Sequence, residues 1–476
     1  MSRSMQCLSY GHTPRRGVAS VMAMVFMVVF SALALGFYAA TTTASQVAGN
    51  ERRSMSAQSA AESGIQFLRY HLSALDIPPG LTNDQLFDEV HMQLESRLDG
   101  TTNMNGGTIG YDGTSILMPA TGYMKLDAKG EQQVKIVITR AGDQLISRIT
   151  GRNGGVSVGR AIELKFSKAK NASAIFNFGV ASRGPVSTTG NSTITGLTDK
   201  TKGSILSTST VSNPVQVFGK MVSGDISVVN PNAVVKYGAN VSIGDTTNHQ
   251  LIDAYHIHKG VPEPKFPYID TNVYAQYATN TYTSGMTVLE NVRIPAGTNP
   301  TFSGNVVIRG VLLVEGSNKV SFGGNVDIQG VIVSSNSSPQ PLISSGEVTN
   351  NVIEFTGSVT ARPMDDPKSP LVGTQFNEVK KLKGAFIIAP QYRVKMWGNF
   401  ATVGGSVVAA QFQMGGSAEG TIAGSVIQMR DDVATTIDGS ADVVIASTGT
   451  TDYPPGISFG EYYTPVPGSY LEVHAD

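Results

Sequence analysis

GNVVIRGVLLVEGSNKVSFGGNVDIQGVIVSS, residues 304–335, contains the same short phrase twice. GNVVIRGVLLVEG (304–316) aligns with GNVDIQGVIVSS (324–335), with Phe302 against Phe322 and Asn305 against Asn325, a spacing of 20 residues. Working outward, Gly384, Gly404 and Gly424 each open a β-branched run at the same step, and Gly203, Gly224 and the segment around Gly244 keep a step of 20 or 21. A fixed period near 20, with a few aliphatic side chains and a Gly or Asn turn per unit, is the pattern of stacked parallel strands hydrogen-bonded about 4.8 Å apart. A β-sandwich would show strand spacings of about 8–12 residues without such internal identity. The expectation for residues 171–450 is therefore a right-handed parallel β-helix of about 20-residue coils. Val307, Leu312, Val326, Ile332, Ile387, Val407 and Val426 are expected among its inward or stacked positions. Two stretches rich in Pro, Tyr and Ser break the period, near 250–300 and 335–380, and are expected as excursions over its surface.

The composition fits a β-rich body. Gly accounts for 52 of 476 residues, formal net charge is −1, and charged residues make up 15%. Without a block of like charge, a nucleic-acid partner is not expected. The one Cys, Cys7, can build neither a disulfide framework nor a thiolate metal site.

The N-terminus follows other rules. No charged residue lies between Arg16 and Glu51, and the apolar stretch Val18–Ala40 holds 23 residues. As a helix it is roughly 34 Å long, enough to cross a hydrocarbon core of about 30 Å. Arg3, Arg15 and Arg16 precede it, so a cytoplasmic start and a translocated remainder are expected. A secretory signal is the competing reading, but its apolar core would be shorter and end at a cleavage site. Here Ala61, Ile65, Leu68, Leu72 and Leu75 continue a helical face until Pro78 and Pro79. Gly36, Gly49 and Gly64 are places where this helix is expected to bend.

Three period-two runs, VKIVIT, QLISRIT and AIELKF, lie between Gln132 and Phe166, separated by Ala-Gly-Asp (141–143) and Gly-Arg-Asn-Gly-Gly (151–155). They predict an antiparallel sheet packed on the preceding helix.

Arg15-Arg16-Gly17 directly before the apolar run, together with AGNERRSMSAQSAAESGI (48–65), resembles the N-terminal region of PilX-type minor type IV pilins and pseudopilins. The resemblance covers about 60 residues. It implies cleavage by prepilin peptidase after Gly17, with Val18 as the mature N-terminus and Arg15 and Arg16 as leader charges. It also implies assembly with other pilin-like subunits through the helix. The fifth mature position, Glu in major pilins, is Met22 here, which argues against a role as the repeating subunit.

The organisation expected is thus a cytoplasmic leader (1–17), a transmembrane and amphipathic pilin-like helix (18–76) and a small antiparallel β domain (77–170). The β-solenoid (171–450) and a Pro-rich tail (451–476), expected as an extended strap, follow. The chain is expected in the inner membrane, crossing the bilayer once, with its body periplasmic or on a filament.

Sites of chemistry are sparse. His256 and His258 alternate on one strand face, but no third ligand stands at metal spacing, so no metal is expected. Asp365-Asp366 and Asp431-Asp432 are the adjacent acid pairs of the repeat region, about 65 residues apart, and read as solvated turns rather than a lyase or glycosidase pair. Trp397, with Tyr392 and Lys395 before it, reads more readily as packing than as a sugar platform. No catalytic residue and no cofactor is assigned, and a surface or carbohydrate ligand is left open. The function expected is a minor pilin-like or pseudopilin-like subunit displaying an adhesive or capping module. The alternatives are a membrane-tethered polysaccharide lyase or hydrolase, and a tethered scaffold that never enters a filament.

Overall fold

The computed structural model describes residues 16–154, 158–170, 173–368, 370–446 and 453–475. The chain forms two compact units. One comprises Met1–Ile77, Leu81–Ala169 and Tyr462–Asp476, and the other Pro78–Gly80 and Lys170–Glu461.

In the first unit a single helix, α1, runs from Arg16 to Ser73 without interruption. Its C-terminal half presents Ala57, Ala60, Ala61, Leu68 and Leu72, all fully buried. The three alanines let the helix lie close on an antiparallel sheet of Gln132–Ala141, Gln144–Asn153 and Gly159–Lys170. A side chain on Gly151 would put its Cβ 2.1 Å from the Ala57 carbonyl oxygen, and one on Gly64 would stand 2.6 Å from Val134. Gly64 therefore marks close packing rather than the expected bend. The expected three-strand meander and its helix contact are both present.

Two features of this unit were not expected from the sequence. A second helix, α2 (Asn83–Leu98), starts with a reciprocal capping box between Thr82 and Gln85 and buries Leu86, Val90, Leu94 and Leu98 on one face. The C-terminal residues are not a strap. Leu471–Val473 pairs antiparallel with Gly159–Lys170, Leu471 opposite Glu163, and Tyr463 is fully buried in the unit's core.

The second unit is a body of parallel sheets. Val306–Val314 and Val326–Ser334 pair in register along their whole length, Val306 opposite Val326, which confirms the 20-residue alignment as strand pairing. Successive partners carry one aliphatic ladder, buried except for the half-buried Ile257 at its end: Ile257, Ile226, Ile205, Val180, Val426, Val407, Ile387, Ile332, Leu312 and Val292. A second ladder is aromatic. Phe302 and Phe322 stack at 5.0 Å, Phe322 and Phe355 at 4.9 Å, with planes within 11°. Of the inward positions expected, Val307 is the exception. It lies opposite Asp327 and is half-buried, because strand alternation sends Val306 and Ile308 inward instead.

The order of that first ladder differs from chain order. Val180 opens the body, yet it pairs with Ile205 on one side and with Val426 on the other. Residues 180–259 build one arm away from that point. The chain then crosses through 260–279 to the opposite end, and residues 280–445 build the second arm back to Val180. The two arms meet at Val180–Val426, Val186–Thr435 and Ile194–Val443. The stretch near 250–300 is therefore only partly an excursion, since Val288–Ile294 is a core strand.

The crossing segment covers an outward apolar stripe. Tyr274 is fully buried and donates to the Pro455 carbonyl at 2.8 Å, and Tyr268–Ile269 pairs antiparallel with Ile457–Ser458. Beneath them lie Ala181, Leu206, Ile427, Val408, Ile388 and Val333, one from each of several successive strands. Side chains on both faces of these strands are thus buried, as continuous apolar runs require.

Candidate functional site

The N-terminal half of α1 is the first candidate surface. The helix is long and apolar enough to cross a membrane, and its most apolar window has no residue buried in the protein. Met27 is 70%, Phe30 65% and Phe37 66% exposed. The hydroxyls of Thr41, Thr42 and Thr43 donate to the carbonyls of Phe37, Tyr38 and Ala39 at 2.8–2.9 Å, so their polarity is met inside the helix. Met22 is exposed on the same helix. Arg3, Cys7 and Arg15 lie outside the described residues. Arg16 and Gly17 are described by their helical backbone alone, with Val18 next to them.

On the body, the histidine pair has one partner. His256 Nδ1 lies 2.8 Å from one carboxylate oxygen of Asp225, and His258 Nε2 lies 3.2 Å from the other. Among the described residues no group of three His, Cys, Asp or Glu is arranged to hold a metal ion. The acid pairs are not brought together. Asp365 faces Lys383 at 2.5 Å, and Asp366 accepts from the Lys368 backbone N–H. Asp432 pairs with Arg430, whose hydrogen bond holds that carboxyl below its usual range. Tyr392 is fully buried with its hydroxyl on the Gly316 carbonyl, and burial pushes its phenol well up. It cannot join a surface platform. Trp397 remains 40% exposed, with Lys395 Nζ 5.1 Å from its ring centre, but that lysine is engaged by Glu354 at 2.7 Å.

A cleft that no sequence motif announced lies at one end of the parallel stack. Among the described residues the last layer there is Lys236–Tyr237 and Ile257–Lys259. The short helical segment His249–His256 crosses this end. The space of about 700 Å³ left open is lined by Phe218, Val235, Lys236, Tyr237, His249 and Lys259, among others. Tyr237 donates to Asp253 at 2.7 Å, and burial together with that bond pushes its phenol up to about 12. The His249 ring stands edge-on to Tyr237 at 5.0 Å. Lys236 and Lys259 are exposed, and neither has a carboxylate partner among the described residues. Sequence reading missed this cleft because residues 218, 236 and 259 meet only through stacking. The available signal was Lys259 itself, a charge at an inward strand position.

No protein-family model matches the chain, and no curated protein matches it. Among solved structures, the competence-associated pilin ComZ from Thermus thermophilus is similar over 88% of this chain and 97% of that chain, at 12% identity and a TM-score of 0.30. A likeness at that level decides neither fold nor role.

Proposed function

We propose that this chain is a minor pilin-like or pseudopilin-like structural subunit of a type IV pilus or type II secretion filament. Its body, read as a right-handed parallel β-helix, serves as the adhesive or capping module. The observation that carries this reading is α1 itself. One unbroken helix, Arg16–Ser73, is bare and apolar over its first half and packed on an antiparallel sheet over its second. An exposed apolar helix of this length is stable in a bilayer, and it leaves the bilayer only where other helices of its kind cover it. The partners are accordingly the lipid bilayer, prepilin peptidase and other pilin-like subunits. The location is the inner membrane before assembly, with the N-terminus cytoplasmic. The body is read as non-catalytic, because the acid pairs at Asp365 and Asp431 stand apart and in separate ion-pair environments. The experiment is N-terminal analysis of the membrane-bound protein together with co-purification of filament subunits. A start at Val18 with subunits attached supports the reading, and a soluble body lacking α1 overturns it.

A further inference from the structure

We propose that the cleft at the end of the parallel stack binds an acidic saccharide, a chain of sugars bearing carboxylates. This names a ligand for the display module and rests on that part of the proposed function, but it does not depend on filament assembly.

The cleft exists because a stack must stop. In every inner layer, inward side chains are covered by the next layer. Past Ile257–Lys259 there is no next layer among the described residues, and the helical segment above it closes only part of the gap. An end that needed only closure would carry apolar or small residues at its inward positions. Lys259 instead stands in register with Val228, Ser207, Ser182 and Gln428, where no other charge occurs. At this last layer the amine is exposed, so a register position that is buried in the inner layers opens into the cleft and carries a charge there.

Several cations of the body are engaged by a carboxylate, and the two of the cleft are not, among the described residues. Arg293, Arg309, Arg362, Lys383 and Lys395 each face a carboxylate within 3.1 Å. Lys236 and Lys259 do not, and the one carboxylate of the lining, Asp253, accepts from the neutral Tyr237 hydroxyl. Two ammonium groups against one carboxylate leave the cleft net positive. Phe218, 46% exposed, with Val235 and Tyr237 supplies an apolar floor. A pyranose ring presents an apolar C–H face and polar edges, so it can use that floor while its carboxylates meet the amines. At about 700 Å³ the cleft falls in the range of about 300–1,000 Å³ typical of organic ligand sites, large for a lone anion. An acidic peptide gains little here from extending a sheet, because the free edges, Lys236–Tyr237 and Ile257–Lys259, are two and three residues long. That is too short for strand addition to supply affinity.

The test is calorimetry on the full chain in detergent, with tetragalacturonate as the probe and neutral tetragalactose and tetraglutamate as comparisons. Tetragalacturonate is expected to bind, and the neutral sugar at least about tenfold more weakly. Lys236→Gln and Lys259→Gln should each lower affinity about tenfold, as expected for a hydrogen bond to a charged group. Phe218→Ala should weaken the saccharide as well. Lys319→Gln, an exposed lysine on another strand of the body, should change nothing. Both cleft lysines are exposed, so the variants should keep the parent's thermal transition. The proposal is overturned if tetragalacturonate gives no binding at millimolar concentration, or if the double lysine variant binds it as well as the parent. It is equally overturned if tetraglutamate binds as tightly as the sugar. None of these results bears on processing at Gly17, which is measured separately.

Discussion

Replacing Ser187 and Thr436 with cysteine tests the arrangement of the body directly. These residues lie opposite each other on paired parallel strands, where the two arms meet. Adjacent strands are about 4.8 Å apart, inside the Cα separation of about 4.4–6.8 Å that a disulfide spans. Both side chains face outward and are half-buried, so an oxidant can reach them. If the layers instead followed chain order, the same residues would sit roughly nine layers, or about 43 Å, apart. The bridge would close a loop of about 250 residues, which the chain-entropy model credits with about 5.5 kcal/mol. The assay uses a Cys7→Ser background, mild oxidation, non-reducing electrophoresis and peptide mass mapping, then thermal melts with and without reductant. Ser321→Cys with Glu354→Cys, an in-register pair within the second arm, is the positive control. A control pair that links while the 187–436 pair stays reduced would refute the two-arm order.

Other expectations are more local. Gly151→Val should destabilise the first unit by about 3 kcal/mol, the upper end for overpacking, because the obstacle 2.1 Å away is α1 backbone rather than a yielding side chain; chemical denaturation measures it. Phe322→Ala should cost about 3–5 kcal/mol, and hydrogen exchange should rise at Val352–Phe355 well before Ile205–Ser207 if stability is local to neighbouring layers. His71 is buried, and burial lowers its pKa below 6.5, so the fold holds it neutral; stability present above the unfolded value should fall as pH drops below about 6.5, and His71→Phe should flatten that slope in urea titrations. Maturation should remove 17 residues, ending at Gly17, and intact mass should show it; a bulky residue at position 17 should leave the precursor uncut.

The parts legible in the sequence were those where physics repeats an identity. In-register stacking places like on like, so Phe302 and Phe322, or Asn305 and Asn325, advertise their pairing. The apolar run at Val18 and the alternation from Gln132 to Phe166 were equally plain, each following from one period. The misses have physical causes too. In α2 the Thr82–Gln85 box and the spacing of Leu86, Val90, Leu94 and Leu98 were readable, but acidic and amide residues between them diluted the pattern. Leu471–Val473 is too short to show alternation. The order of layers could not be read at all, because Val180 against Val426 uses the same residue types as any other layer. The end cleft inherits that blindness, since its lining depends on which layer is last.

The two-arm order also explains how the body is accommodated in the chain. The second unit, Lys170–Glu461, interrupts the first between Ala169 and Tyr462. The strands on either side of the interruption, Gly159–Lys170 and Leu471–Val473, are direct neighbours in one sheet. An insert tolerated between neighbouring strands must begin and end close together. A stack built in chain order would begin at one end and finish at the other, roughly 43 Å away across ten layers. Here the body begins at Val180 and closes at Val426–Ile445, in adjacent layers, because the crossing through 260–279 moves the chain to the far end in one step. Prolines at 262, 264 and 267 keep that crossing extended without demanding ladder hydrogen bonds. Phe266 and Tyr274 fasten it to the outward stripe. Both ends of the stack are then left as turns and short edges, with Ile257 three layers from Val180 on one side and Val292 five from Val426 on the other. One of those ends carries the cleft with Lys236 and Lys259, so the position open to a ligand is set by the same crossing that lets the body be inserted.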